Sequence, residues 1–218
     1  MDNNQPAQIP LPPPNQEGGM SLAEAISRRK SIRYFARQPI SQLQLSQILW
    51  ASQGTTTSPW GHRTVPSAGA TYPLEVFVVC GSNGVEGIVE GIYHYNVDNH
   101  SLSQHYQGDV RLELARAALD QEFICQAPVN IAICAEYERT LRRYGTRGER
   151  YVHIEVGHAG QNIYLQATAL GLATVAVGAF YDEPVRQALR LDKRYKPLYI
   201  MPVGVGLRLR RQIPTESS

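Results

Sequence analysis

Lysine is nearly absent from this sequence. Lys30, Lys193 and Lys196 are the only three in 218 residues, and arginine carries the rest of the positive charge. Arginine suits bidentate recognition of phosphate and carboxylate, although genome composition produces the same skew. Cysteine is scarce too. Cys80, Cys125 and Cys134 are odd in number and lack CxxC or Cys/His spacing, which argues against structural disulfides and zinc. They read as buried, inert thiols of a reduced, cytoplasmic protein. An excess of one charge is also missing: a net +2 makes no global electrostatic case for nucleic acid. No apolar run approaches the length needed to span a bilayer, and the first twenty residues lack the pattern of a secretory signal. There are no internal repeats.

What is present reads as one domain with enough chain for a real core. Residues 1–20 contain Ile9-Pro10-Leu11-Pro12-Pro13-Pro14 and read as an extended, polyproline-like arm outside that core, lying across a partner subunit or disordered. Residues 21–207 form the folded domain, and 208–218 a basic, polar tail. Ser21 and Glu24 form a capping box that opens a helix running to about Arg29. Ser41 and Gln44 open a second helix, with Ile40 stapled onto Leu45 and Gly54 as its stop. Strands are predicted at Leu74–Val79, Val129–Ala135, Leu172–Val177 and Leu198–Gly204. A hairpin joins Gly91–Asn96 to Ser101–Tyr106. Asp109 is the expected cap of a helix with Leu112, Ala115 and Leu119 on one face, and a short helix covers Asp182–Arg190. The basic segment 137–150 is poorly periodic and reads as mobile or as the start of the long helix Tyr151–Leu170. That helix is apolar nearly all round, so burial on most faces is expected. The pattern is α+β, a central mixed sheet flanked by helices.

Four segments suit one flat, anionic ligand. In Pro66-Ser67-Ala68-Gly69 the small side chains let backbone N–H groups come close, and prolines hold the loop's shape. Arg29, Lys30, Ser31 and Arg33 lie where the first helix gives way to extended chain; they suit a phosphate, or equally a solvated basic helix end. Gly157, Ala159 and Gly160 sit mid-helix, where glycine is unfavourable by about 1 kcal/mol unless close packing requires it. His158 and Asn162 beside them are satisfied core polars or ligand contacts. Val177-Gly178-Ala179-Phe180 closes a buried strand. Arg208, Arg210 and Arg211 follow the final strand and read on their own as a solvated basic tail.

Together and in this order, these segments resemble the nitroreductase-like flavoproteins, most closely their SagB/ThcOx type. The likeness spans Ser21 to Gly204. It implies the nitroreductase-like fold as an intertwined homodimer, with FMN in a cleft shared by two chains and the helix Tyr151–Leu170 at the interface. The family's Arg-Arg-Ser-x-Arg-x-Phe motif holds the FMN phosphate; here the sequence is Arg28-Arg29-Lys30-Ser31-Ile32-Arg33-Tyr34-Phe35, with an extra lysine before the serine. By resemblance Arg29, Lys30, Ser31 and Arg33 bind the cofactor, with Arg208 completing the phosphate site. Pro66, Ser67, Ala68 and Gly69 pack beside its ring and Leu74 is an apolar neighbour. Asn162 adds a further contact, and the amides of Gly178 and Ala179 face flavin N5.

One segment departs from the family pattern. Azoline-oxidising relatives use a Lys-Tyr pair to remove a proton, and here the pair is Arg143-Tyr144. Arginine effectively cannot lose its proton, so Tyr144 remains as the acid or base and Arg143 suits an anionic group. The implied activity is therefore hydride transfer from NADH or NADPH through FMN to a small electrophile such as a nitro compound or quinone. The alternatives are a peptide-azoline dehydrogenase, working with a modification complex, and a flavin-binding accessory subunit with little turnover. No metal site, nucleic acid or membrane partner is expected.

Overall fold

The computed structural model describes residues 8–17, 19–56 and 61–207. A seven-stranded sheet runs through its centre in the order β1-β4-β3-β2-β5-β7-β6. The strands are β1 (Gln8–Pro10), β2 (Leu74–Cys80), β3 (Gly91–Asn96), β4 (Ser101–Gln107), β5 (Val129–Ala135), β6 (Ala173–Thr174) and β7 (Lys196–Gly204). Every strand pairing in it is antiparallel, so the sheet expected to be mixed and largely antiparallel is antiparallel throughout. The parallel bridge from Ile40 to Val85 lies outside the strands.

Strand geometry sends alternate side chains to opposite faces. Val76, Val78, Ile131, Ile133, Met201 and Val203 share one face. The helices α2 (Gln42–Gln53) and α6 (Arg147–Ala169) cover it with Ile48, Leu49, Val156 and Ile163. Phe77, Val79, Ala132, Cys134 and Ile200 share the other face, under α3 (Arg111–Ala117), α4 (Glu122–Gln126) and α7 (Asp182–Ala188). Burial on both faces raises the Cys80 thiol to about 12 and raises that of Cys134 as well, so neither is a nucleophile.

The helix starts follow local chemistry. Ser21 accepts from the Glu24 amide at 3.2 Å to open α1 (Leu22–Arg28). Ser41 and Gln44 form a full reciprocal box on α2, over which Ile40 and Leu45 are both fully buried. Asp109 does not cap α3. Its carboxylate turns to the amide and guanidinium of Arg111, and Val110 occupies the cap position without a side-chain bond. Leu112 and Leu119 are exposed, and Leu114, Ala115 and Ala117 form the buried face.

The basic segment 137–150 is ordered into α5 (Glu138–Tyr144) and the first turn of α6, separated by Gly145 at φ +56°. Helix α6 buries one face rather than most of its surface: Val152, Val156, Ala159, Ile163 and Ala167 are inside, with Ile154, His158 and Gln161 exposed. The strand expected at Leu172–Val177 shortens to β6, with an isolated bridge from Val177 to Ile200. The described part of the proline-rich arm lies on its own chain. Its β1 pairs with β4, Leu11 is buried, and Ser46 Oγ donates to Pro12 O. No helix among the described residues is long and apolar enough to cross a membrane.

Candidate functional site

The candidate residues gather into three groups along α6. The first lies where α1 ends. Arg29 caps that helix and places its guanidinium 5.1 Å from the centre of the Tyr164 ring. Tyr164 Oη accepts from the Ala176 amide at 2.7 Å and lies 2.8 Å from Ser31 Oγ. That arrangement lets the phenol proton go to Ser31 and frees the serine's own proton for a ligand. Backbone bonds then fix the segment: Ile32 N donates to Thr174 O, Ala36 N to Val205 O and Leu207 N to Tyr34 O. Arg33 lies over Phe123 at 5.8 Å. No acid among the described residues forms an ion pair with Arg29, Lys30 or Arg33. Lys30, Ser31 and Arg33 line a cavity of about 710 Å³ together with Gly171, Gly206 and Leu207. Three cations and a hydroxyl without an acidic partner form a donor set suited to a phosphate. Arg208, like Arg210 and Arg211, lies outside the described residues.

The second group is the loop 66–72. Gly69, Ala70 and Tyr72 all have positive φ, at +59°, +53° and +44°. Two of the three are not glycine, so tertiary contacts must hold this conformation. Tyr72 N donates to Ser67 Oγ at 2.9 Å, and Thr71 Oγ1 lies 2.8 Å from Thr140 Oγ1 on α5. Arg143 Nη1 donates to Gly69 O at 3.0 Å. A Cβ at Gly69 would stand 2.5 Å from Tyr144 Oη and 2.9 Å from Arg143 Cζ. The pair Arg143-Tyr144 therefore closes directly over the glycine of the loop. Leu74 takes no part in that surface: it is 2% exposed and belongs to the core as the first residue of β2.

The third group is the turn after β6. Gly178 and Ala179 are exposed, and neither amide donates to an atom of the described residues. The Tyr199 ring packs against both Gly178 and Gly160; an added Cβ would meet it at 3.4 Å and 3.1 Å respectively. Asn162 is in none of the three groups. Its Nδ2 donates to Ala51 O and Thr64 O, tying α6 to α2.

Helical phase sets how these groups face. At 3.6 residues per turn, Gly160 and Tyr164 lie on one side of α6, whereas Glu155 is half a turn from Tyr164 and about 13.5 Å away along the axis. Ser67 of the second group pulls the buried Glu155 carboxyl down against the effect of burial. The cationic group and the bare amides thus share a side, and the loop occupies the opposite one.

Glu155, Tyr164 and Tyr199 were not singled out by sequence reasoning. Glu155 had a usable signal: it is a carboxylate in register with the core positions Val152, Val156 and Ala159. Tyr164 and Tyr199 read as ordinary apolar neighbours, and only the fold shows what they touch.

A sequence model of the nitroreductase family matches residues 26–205. "Putative nitroreductase MJ1384" of Methanocaldococcus jannaschii is 50% identical over 185 residues, covering 85% of this chain and 91% of that protein. A crystal structure of the same description from Ralstonia eutropha JMP134 superposes with a TM-score of 0.80 at 26% identity, covering 94% of this chain and 95% of that one. The E. coli microcin synthetase McbBCD complex with truncated pro-MccB17 contains a chain that superposes with a TM-score of 0.73 at 26% identity. Coverage there is 89% of this chain and 76% of that one.

Tyr164→Phe tests the first group. The change leaves the half-buried Ala176 amide without its acceptor, so unfolding in urea should show a loss of about 1–3 kcal/mol. An unchanged midpoint would mean that the phenol does not hold the segment.

Proposed function

This chain belongs to the nitroreductase family, and from that premise we propose that it is a homodimeric, FMN-dependent oxidoreductase passing hydride from NADH or NADPH to a small electrophile such as a nitro compound or quinone. The observation that carries this reading is the cationic group without acidic partners, on the same side of α6 as two bare amides. When bound, FMN supplies the two-electron, hydride-accepting chemistry. Arg29, Lys30, Ser31 and Arg33 hold the phosphate through charge-assisted hydrogen bonds. The amides of Gly178 and Ala179 orient the redox-active edge of the ring. Pro66–Gly69 pack against the ring and exclude water, Arg143 receives an anionic substituent of the substrate, and Tyr144 Oη handles a proton.

A single chain places the loop and the cationic group half a turn apart on α6, which favours a site completed by a second copy. The stripe Ile154, Gly157, His158 and Gln161 lies between those two sides, and a Cβ at Gly157 would meet nothing within 4 Å. The midpoint of residues 155 and 164 falls within that stripe. A two-fold axis along that stripe packs the α6 helices of two copies against each other.

The second reading is oxidation of azolines in a peptide, favoured by the likeness to the McbBCD complex. Against it stands Arg143, whose guanidinium is engaged with Gly69 O and is no base.

Three outcomes are expected. The purified protein is yellow and releases FMN on denaturation, and Arg29→Ala weakens FMN binding by about 1.5–3 kcal/mol, the worth of a hydrogen bond to a charged group. Colourless protein that takes up no added FMN overturns the reading. Gly157→Arg sediments as a folded monomer with weakened FMN binding; a dimer that binds FMN normally would place the interface elsewhere. Finally, the wild type reduces a quinone but leaves a thiazoline peptide unoxidised, and Arg143→Lys gains azoline turnover. Robust azoline oxidation by the wild type would favour the peptide reading.

A further inference from the structure

Two of the four candidate phosphate ligands, Arg29 and Ser31, meet on one side chain of α6. Tyr164 is half-buried, and its direction is set by Ile163 and Ala167, both fully buried in the core on the same helix. Its ring carries the Arg29 guanidinium 5.1 Å from the centre, within reach of a cation–π contact. Its Oη takes the Ala176 amide at 2.7 Å and lies 2.8 Å from Ser31 Oγ. The amide is a donor only, so it occupies a lone pair of Oη, and Ser31 Oγ is the acceptor that the described residues offer to the phenol proton. Ser31 Oγ has no other hydrogen-bond partner among the described residues. Its proton is therefore left for whatever enters the cavity that Ser31 lines with Lys30 and Arg33. The three donors then run in one direction, from a backbone amide through two hydroxyls to the ligand. Hydrogen bonds in such a chain polarise one another, and an anion is the ligand that a chain ending in a donor favours.

We propose that Tyr164 is a positioning residue for the phosphate of FMN: its hydroxyl commits Ser31 to the role of donor, and its ring holds Arg29 beside that serine. The proposal rests on reading this group as the phosphate site. A serine without such a neighbour is uncommitted, because a free hydroxyl both donates and accepts and rotates to suit its surroundings. A free arginine loses rotamer entropy when a ligand orders it, and one already placed on an aromatic face loses less. The Tyr164 hydroxyl is itself engaged by Ala176 and Ser31, so Tyr164 acts through the two groups that it fixes.

The first measurement uses the protein without flavin. Ser31→Ala should move the amide resonance of Ala176 and speed its exchange, because the phenol between them loses the acceptor of its proton. The same change made in Tyr164→Phe should leave Ala176 where Tyr164→Phe alone puts it. An Ala176 resonance indifferent to Ser31→Ala in the otherwise wild-type protein would overturn the proposal. The second measurement compares the affinities for FMN and for riboflavin, which has the same ring and no phosphate. Their ratio isolates the phosphate, since a general loosening of the fold lowers both affinities and cancels. Tyr164→Phe, which keeps the ring under Arg29, should lower the ratio about two- to tenfold, the span of one hydrogen bond. Added to Ser31→Ala, it should lower the ratio no further. Tyr164→Leu removes the ring too and should lower the ratio beyond Tyr164→Phe, an excess that disappears in the Arg29→Ala background. Equal losses for both ligands in Tyr164→Phe, or a fall in the ratio that adds in full to that of Ser31→Ala, would show a merely structural tyrosine and overturn the proposal. A wild type that binds neither flavin, or both equally, would overturn the phosphate reading instead, and the Ala176 resonance would still decide whether Tyr164 directs Ser31.

Discussion

The rotational phase of α6 is the constraint on which the rest of the molecule depends. Val152, Val156, Ala159, Ile163 and Ala167 must face the sheet, because their burial supplies much of one core layer. Once that face is fixed, 3.6 residues per turn decide where every other side chain of the helix points. Tyr164 turns to the end of α1, Gly160 admits the Tyr199 ring, and Glu155 points to the opposite side. The separation of the candidate groups onto two sides follows from packing and not from anything local to those groups.

The loop 66–72 shows what that scaffold holds in place. A run with three positive-φ residues does not persist by local preference. Here its carbonyl, hydroxyl and amide groups are taken by Arg143, Thr140 and Ser67, on elements that are themselves packed. The glycine is needed at position 69 for two reasons: its φ, and the close approach of Arg143 and Tyr144. Rigid placement of small residues and polar groups is what a flat ligand requires, since ordering them at the moment of binding would weaken affinity.

Electrostatics divides the molecule in a comparable way. Most buried or half-buried charges are spent on structure, as in the cluster where Arg139 and His94 both meet Glu75. The cations after α1 are different, because among the described residues no acid forms an ion pair with them. Like-charged groups left together and half-exposed are tolerated where an anion is to be received.

Much of the fold was legible in the sequence. The caps at Ser21 and Ser41, the hairpin and the strand Val129–Ala135 are specified by neighbours a few residues away, and local signals of that range survive folding unchanged. The grouping of Arg29, Ser31 and Arg33, and that of Pro66 to Gly69, was visible for the same reason. What tertiary structure alone decided depends on contacts between distant segments. Leu74 was claimed by the core, and Asn162 was taken up by two carbonyls of other elements. The meeting of Arg143 and Tyr144 with Gly69 spans more than seventy residues of chain. No periodicity encodes it. Sequence set which chemical groups were available, and the packing of α6 against the sheet decided which of them meet.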